Sequence, residues 1–106
     1  MNTKIKWSTE SRKVSELKNY EKNPRKMSAK EKKDIKKSIN EFGKVVPLVV
    51  NTGTRNNIVI GGNQRLTIYQ EKKLDEIDVM VPSRELSLKE EQGLNLRLNR
   101  NHASWD

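Results

Sequence analysis

The sequence contains no cysteine, which excludes disulfides, thiolate metal sites and thiol nucleophiles and fits an intracellular protein without naming a compartment. Aromatic side chains are scarce. Trp7, Tyr20, Phe42, Tyr69 and Trp105 are the only five, in a chain of 106 residues that is 32% hydrophobic. With a mean hydropathy of -0.95, the core is thin and falls mainly to isoleucine, valine and leucine, enough for one small domain and not two. Long apolar runs are missing as well. The longest, Val45 to Val50, is far too short to span a bilayer, and the first residues include no signal-peptide apolar region. A soluble, cytoplasmic protein without a membrane partner is the expectation.

Acidic residues are under-represented in one half only. Residues 1–44 hold fourteen Lys or Arg against six Asp or Glu, whereas residues 45–106 hold eight of each, so the whole net charge of +8 sits in the first half. Much of it lies on one predicted helix, where Lys30, Lys32, Lys33, Lys36 and Lys37 surround a sparse apolar stripe. Two readings stay open. One is a solvated lysine-rich face; the other is a patch that follows the phosphates of DNA and loses affinity steeply with salt. On the second, Arg25, Lys30, Lys33, Lys36 and Lys37 are the DNA-contact candidates.

Patterning predicts a mixture of strands and helices. Residues 1–12 are polar apart from Ile5 and Trp7 and are expected to form a flexible arm ahead of a domain spanning residues 13–106. Val14 and Leu17 suggest a short strand or extended entry, broken at Asn23-Pro24-Arg25 because proline pushes its predecessor out of the helical region. Ser28-Ala-Lys-Glu31 is a capping box, and Ile35, Ile39 and Phe42 follow at helical spacing before Gly43 supplies a left-handed stop. Burial of those three side chains, worth roughly 1.5 to 3 kcal/mol each, is expected to dock this helix and leave its lysines in water. Val45 to Val50 reads as a strand, with Pro47 at its start or on a sheet edge. Asn51 to Asn57 is a hairpin-like connection, and Ile58-Val59-Ile60 returns from it. Leu66, Tyr69 and Leu74 mark a helix, Ile77 to Val81 a strand, and Ser87-Leu-Lys-Glu90 a second capping box opening a helix with Leu94 and Leu98 one turn apart. Glu90 and Glu91 are explained by that box and the first-turn dipole.

Residues 58–65, Ile-Val-Ile-Gly-Gly-Asn-Gln-Arg, carry the most chemistry. A β-branched run passes through two glycines directly into a helix, which is how a backbone phosphate cradle is made. Gly61 and Gly62 let the chain approach an anion, Asn63 can cap the helix, and the first-turn amides, from Asn63 through Gln64 to Arg65, lack intrahelical partners. The helix dipole favours negative charge there, and Arg65 adds a planar fork suited to phosphate oxygens. The plainer alternative is a tight strand-to-helix turn with a solvated arginine.

The order of these pieces resembles the ParB N-terminal domain, within a superfamily that also holds sulfiredoxin-like proteins and ParB-like domains of phages or DNA methyltransferase fusions. The resemblance rests on Asn23-Pro24-Arg25, the basic helix, Gly43-Lys-Val-Val-Pro47-Leu-Val-Val50, Gly61-Gly-Asn-Gln-Arg65, a strand, a capped helix and Asn99-Arg100. It implies a small α/β (α+β) domain, a mixed sheet flanked by helices, with a nucleotide site. Gly62-Asn-Gln-Arg65 matches the Gly-Glu-Arg-Arg segment that binds phosphates in ParB proteins, and the backbone around Val45 and Pro47 matches a segment lining the pocket. Val46 replaces the usual glutamine.

Sulfiredoxins carry Gly-Gly-Cys-His-Arg at the cradle. With Asn63 at the cysteine position, an amide cannot replace the thiolate, so reductase chemistry is excluded. The third ParB box, Glu-Asn-x-x-Arg, keeps only Asn99, with His102 at its arginine. Asn99 is the single Mg²⁺-ligand candidate, and hydrolysis is not implied. The resemblance thus points to CTP or ATP with Mg²⁺ as ligand, to DNA as macromolecular partner, and to a homodimer or association with a DNA methyltransferase or other phage protein. The closing Trp105-Asp106 is like that of phage ParB-like domains. Two further classes compete: a ParB-like nuclease or phosphotransferase, which would need clustered carboxylates around Mg²⁺, and a basic DNA- or protein-binding module without nucleotide.

Overall fold

The computed structural model describes residues 4–21, 27–43 and 46–104, and side chains as far as Leu98. Four strands and three helices follow one another as β1 (Trp7–Lys13), α1 (Ala29–Phe42), β2 (Leu48–Val50), β3 (Val59–Gly61), α2 (Asn63–Glu71), β4 (Glu76–Pro82) and α3 (Leu88–Ser104), with single 3-10 turns at Val14–Glu16 and Gly53–Arg55. The sheet order is β1-β4-β2-β3. β4 runs antiparallel to β1 and parallel to β2, and β2 runs antiparallel to β3. This is the mixed α+β architecture that the order of patterns implied. No helix among the described residues is long and apolar enough to cross a membrane.

Alternation explains β4: Ile77, Val79 and Val81 are buried while Glu76 and Asp78 are exposed, the period of a strand with one face on the core. Together with Val14, Leu17, Leu48, Val50, Val59, Leu66 and Tyr69 they form one cluster, with Ile39 and Leu74 packed partly against it. β2 is shorter than its apolar run, because Pro47 precedes the strand and cannot donate to the ladder. Both capping boxes form. Ser28 Oγ accepts from Glu31 N at 3.1 Å while Ser28 N donates to Glu31 Oε1 at 2.9 Å. Ser87 and Glu90 do the same at 3.1 and 2.9 Å. Gly43 ends α1 at φ 80°, its N–H reaching Ile39 O at 2.8 Å.

Three expectations are corrected. Residues 7–12, predicted to belong to a flexible arm, form β1 together with Lys13, paired from Trp7 opposite Pro82 to Lys13 opposite Glu76. Its residues are mostly exposed, so no burial pattern marks it; backbone pairing to β4 alone makes it a strand. Val14 and Leu17 are buried, but from a 3-10 turn and the residue that follows it, not from a strand. Phe42 is 70% exposed, and α1 has no fully buried residue. The apolar stripe of α1 is too sparse to sink into a core already closed by β4 and α2, and only its middle residue, Ile39, packs against it.

Candidate phosphate-binding site

β3 delivers Gly61 and Gly62 to the start of α2, and the two glycines serve different purposes. A Cβ on Gly61 would collide with Leu98 Cδ1 of α3, so Gly61 lets α3 close on the sheet, and Asn95 Nδ2 adds a hydrogen bond to Ile60 O at 2.9 Å. Gly62 is the backbone switch. Its φ of 93° and ψ of 21° place it in the left-handed region as the N-cap of α2, a conformation glycine adopts without strain. Leu66 N is the first amide to find an acceptor, Gly62 O at 2.9 Å, leaving the amides of Asn63, Gln64 and Arg65 without intrahelical partners at the positive end of the dipole.

Asn63 is not the cap that its position suggests. Gly62 takes the N-cap position instead, and the Asn63 side chain is buried; its Oδ1 accepts from Tyr20 N at 2.7 Å and Asn19 Nδ2 at 3.1 Å, while its Nδ2 donates to Val59 O at 2.8 Å. It therefore staples the segment before α1 onto the cradle. Lys18 continues that attachment with a parallel bridge to Ile58. Gln64 is partly buried beside it on the first turn.

Arg65 closes the other side. Its guanidinium donates to the carbonyl of Val46, just ahead of Pro47 and β2, and Tyr69 stands one turn along α2, close enough to influence its charge. A Cβ at Gly62 would come within 3.0 Å of Arg65 Nη2, so the fork lies against the cradle. Burial holds its pKa below the ordinary arginine value, and the Tyr69 contact opposes that effect. Arg65 makes no ion pair among the described residues, whereas Arg12, Arg55 and Arg84 each pair with a glutamate. A desolvated guanidinium facing only neutral acceptors beside free helix amides is complementary to an anion.

The remaining candidates fall into three groups. Arg25 and Val45 lie outside the described residues, as do Asn23, Pro24 and Trp105; Asn99 and His102 are on α3, but their side chains are not described. Lys30, Lys33 and Lys37 are exposed on α1. Lys36 is instead shared with Glu71 of α2, which also binds Lys32 at 2.6 Å. No group of three or more His, Cys, Asp or Glu among the described residues is arranged to hold a metal.

A second polar centre escaped the pattern reading. Glu91 is fully buried and bonds Arg55 Nη2 at 2.8 Å, Arg55 Nε at 3.1 Å and the side-chain amide of Asn51. Arg55 Nη2 also reaches Glu21 Oε1 at 2.7 Å. These two carboxylates raise the Arg55 pKa, while burial, followed by Glu91 and Glu21, raises that of Tyr20. Asn51 completes the joint by bonding the Leu86 backbone at 2.9 and 3.1 Å. Glu91 lies in the first turn of α3 as its position implied, and there it also ties α3 to the β2–β3 connection. The sequence signal was a lone arginine in an otherwise uncharged hairpin loop.

A four-stranded mixed sheet that leads through a left-handed glycine into a helix, beside an arginine with no ion pair among the described residues, makes this a small mixed α+β domain. The sequence model of the ParB N-terminal domain matches residues 3–101, and the chain belongs to that family. Among solved structures, a C-terminally truncated chromosome-partitioning protein ParB from Caulobacter crescentus, complexed with CTP-gamma-S, superposes with a TM-score of 0.74 at 21% identity over 87% of this chain. A Pnob8-like ParB-N domain superposes with a TM-score of 0.67, also at 21% identity, over 89%. The chain spans 52% and 36% of those two chains. No curated protein matches it.

Proposed function

We propose that this domain binds a nucleoside triphosphate by its phosphates, with the amides at the start of α2 and the Arg65 fork as the anion-binding elements, in a DNA-related role of the partition type. The observation that carries this reading is Arg65, partly buried, penalised by desolvation and facing neutral oxygens only. Bound phosphate would replace the Val46 carbonyl as the guanidinium's partner and turn a neutral contact into a charge-assisted one. Gly62 supplies the close backbone approach, and Asn63, its side chain fully engaged, positions the cradle instead of touching the ligand. CTP is the first nucleotide to test, because a ParB of the same fold was solved with a CTP analogue. Mg²⁺ would arrive on the phosphates, which commonly complete its shell with only one or two protein ligands.

Calorimetric titration of CTP, ATP and GTP, with and without Mg²⁺, into the protein and its Arg65→Ala variant tests the assignment. Saturable binding of one nucleotide that is lost in the variant supports it. Equal affinity in the two proteins removes the cradle, and binding of none in a folded sample leaves a basic module without nucleotide. The nuclease alternative lacks a carboxylate cluster among the described residues.

A further inference from the structure

The attachment of α1 is unusual for a helix in a small domain. It contributes no fully buried side chain, and its polar contacts with α2 are exposed ones. Lys32 Nζ lies 2.6 Å from Glu71 Oε2, Lys36 Nζ lies 3.8 Å from Glu71 Oε1, and Lys72 Nζ reaches Asn40 Oδ1 at 2.7 Å. Glu71 is the last residue of α2, the end where the helix dipole disfavours a carboxylate. Its carboxyl is nevertheless held below the ordinary range, first by the hydrogen bond from Lys32. Two lysines of a neighbouring helix therefore stabilise an acid placed at the wrong end of its own.

The lysines continue past that contact. At about 100° per residue, Lys32, Lys36, Lys33, Lys37 and Lys30 follow one another round one side of α1, bordered beyond Lys32 by the apolar stripe and beyond Lys30 by Glu41 and Asp34. Lys33 and Lys37 are exposed and one turn apart. Only Ala29 and Asn40 fall among the lysines of the arc, so it carries no large apolar side chain to insert into a lipid surface. It presents a row of compact positive charges, which suits a regular array of phosphates.

We propose that Glu71 is a resident counter-anion on this arc, and that the phosphodiester backbone of duplex DNA docks on α1 by displacing it from Lys32 and Lys36. The inference rests on DNA as the macromolecular partner and adds the surface, the residues and an internal competitor that restrains the affinity. Docking then extends from the exposed Lys30, Lys33 and Lys37 to the two lysines nearest the core. The exposed Glu71 pair is weak enough to exchange for phosphate, as surface ion pairs contribute little.

Fluorescence anisotropy with a short mixed-sequence duplex, at salt from about 50 to 200 mM, tests this on the full chain. Glu71→Gln is expected to bind about two- to fivefold tighter, the equivalent of one exposed ion pair. Its salt dependence should steepen by roughly 0.9 for each lysine released to a phosphate. Lys33→Ala/Lys37→Ala should weaken binding and flatten that dependence. An unchanged or weaker affinity in Glu71→Gln overturns the counter-anion while leaving DNA as the partner. Failure of both wild type and Glu71→Gln to bind duplex overturns the DNA reading with it, as would binding only to vesicles of phosphatidylserine and phosphatidylcholine. Arg65 lies on the first turn of α2 and Glu71 is its last residue, and Arg65→Ala should lose nucleotide and keep duplex affinity.

Discussion

Arg55 and Arg65 are both partly buried arginines, and their surroundings are opposite. Arg55 holds two glutamates, one of them fully buried, and these raise its pKa. Arg65 holds the Val46 carbonyl, and burial lowers its pKa. A buried charge whose partners come from its own chain is already satisfied and does the work of a joint, here linking α3, the hairpin loop and the segment before α1. A buried charge left with neutral partners keeps part of its binding capacity for something that arrives from outside. The same residue type thus marks a structural centre in one region and a candidate ligand site in the other.

The comparison breaks first, and most heavily, at Arg55. Arg55→Ala strands Glu91 in the core, and truncating one partner of a buried pair costs about 3–5 kcal/mol. The lower end applies, because 24% of the Arg55 side chain remains exposed. Urea denaturation should show this loss, while the folded fraction retains its nucleotide affinity. A stable Arg55→Ala protein would mean that the joint is not a stabilising one.

Arg65→Ala should invert that result. Nucleotide affinity falls by about 1.5–3 kcal/mol, the range for hydrogen bonds to charged groups, with no loss of stability in the same denaturation experiment, since a desolvated, unpaired cation is removed. Destabilisation without loss of affinity would make Arg65 a second Arg55.

Asn63 lies between the two cases, in the cradle by position and structural by contact. Asn63→Ala leaves the buried amide of Tyr20 without its acceptor, which costs about 1–3 kcal/mol of stability. The effect on nucleotide binding should be smaller than that of Arg65→Ala, measured by the same titrations.

The smallest effect belongs to the exposed Arg84–Glu90 pair. The hydrogen bond from Arg84, with that from the Ser87 amide, lowers the Glu90 pKa from 4.5 to about 2. A depressed carboxylate pKa contributes stability that is present above pH 4.5 and is lost as pH falls from 4.5 through 2. Glu90→Gln should lower the melting temperature slightly near pH 7, where the carboxylate contributes in full, and flatten its pH dependence between 4.5 and 2.

Where chemistry is local, the reading from sequence held. Ser28-x-x-Glu31 and Ser87-x-x-Glu90 cap their helices, Gly43 stops α1, and the alternation in residues 76–82 is that of a strand, because each depends on neighbours within a turn or on a period of two. The strand-to-helix turn at residues 58–65 was legible for the same reason, as a β-branched run followed by glycines. The roles inside it were not. Asn63 has the identity of a cap, yet its amide is drawn inward by Tyr20 and Asn19, more than forty residues away in sequence. Gly61 has the look of a phosphate-binding glycine and is needed to admit Leu98 of α3. β1 carried no apolar alternation and exists through its pairing to β4, an element nearly seventy residues further on.

By itself, then, the sequence determined the caps, the turn glycines, the strand periods, the confinement of positive charge to the first half and the exclusion of thiol chemistry, all properties of residue type and short spacing. Tertiary structure alone decided which arginine is paired and which is open, that Glu91 is buried, that Phe42 stays exposed, and that Glu71 meets the lysines of α1. Those outcomes depend on which side chains meet across long sequence separations and on how far each is removed from water, and the free energy of a charge is set by its surroundings more than by its identity.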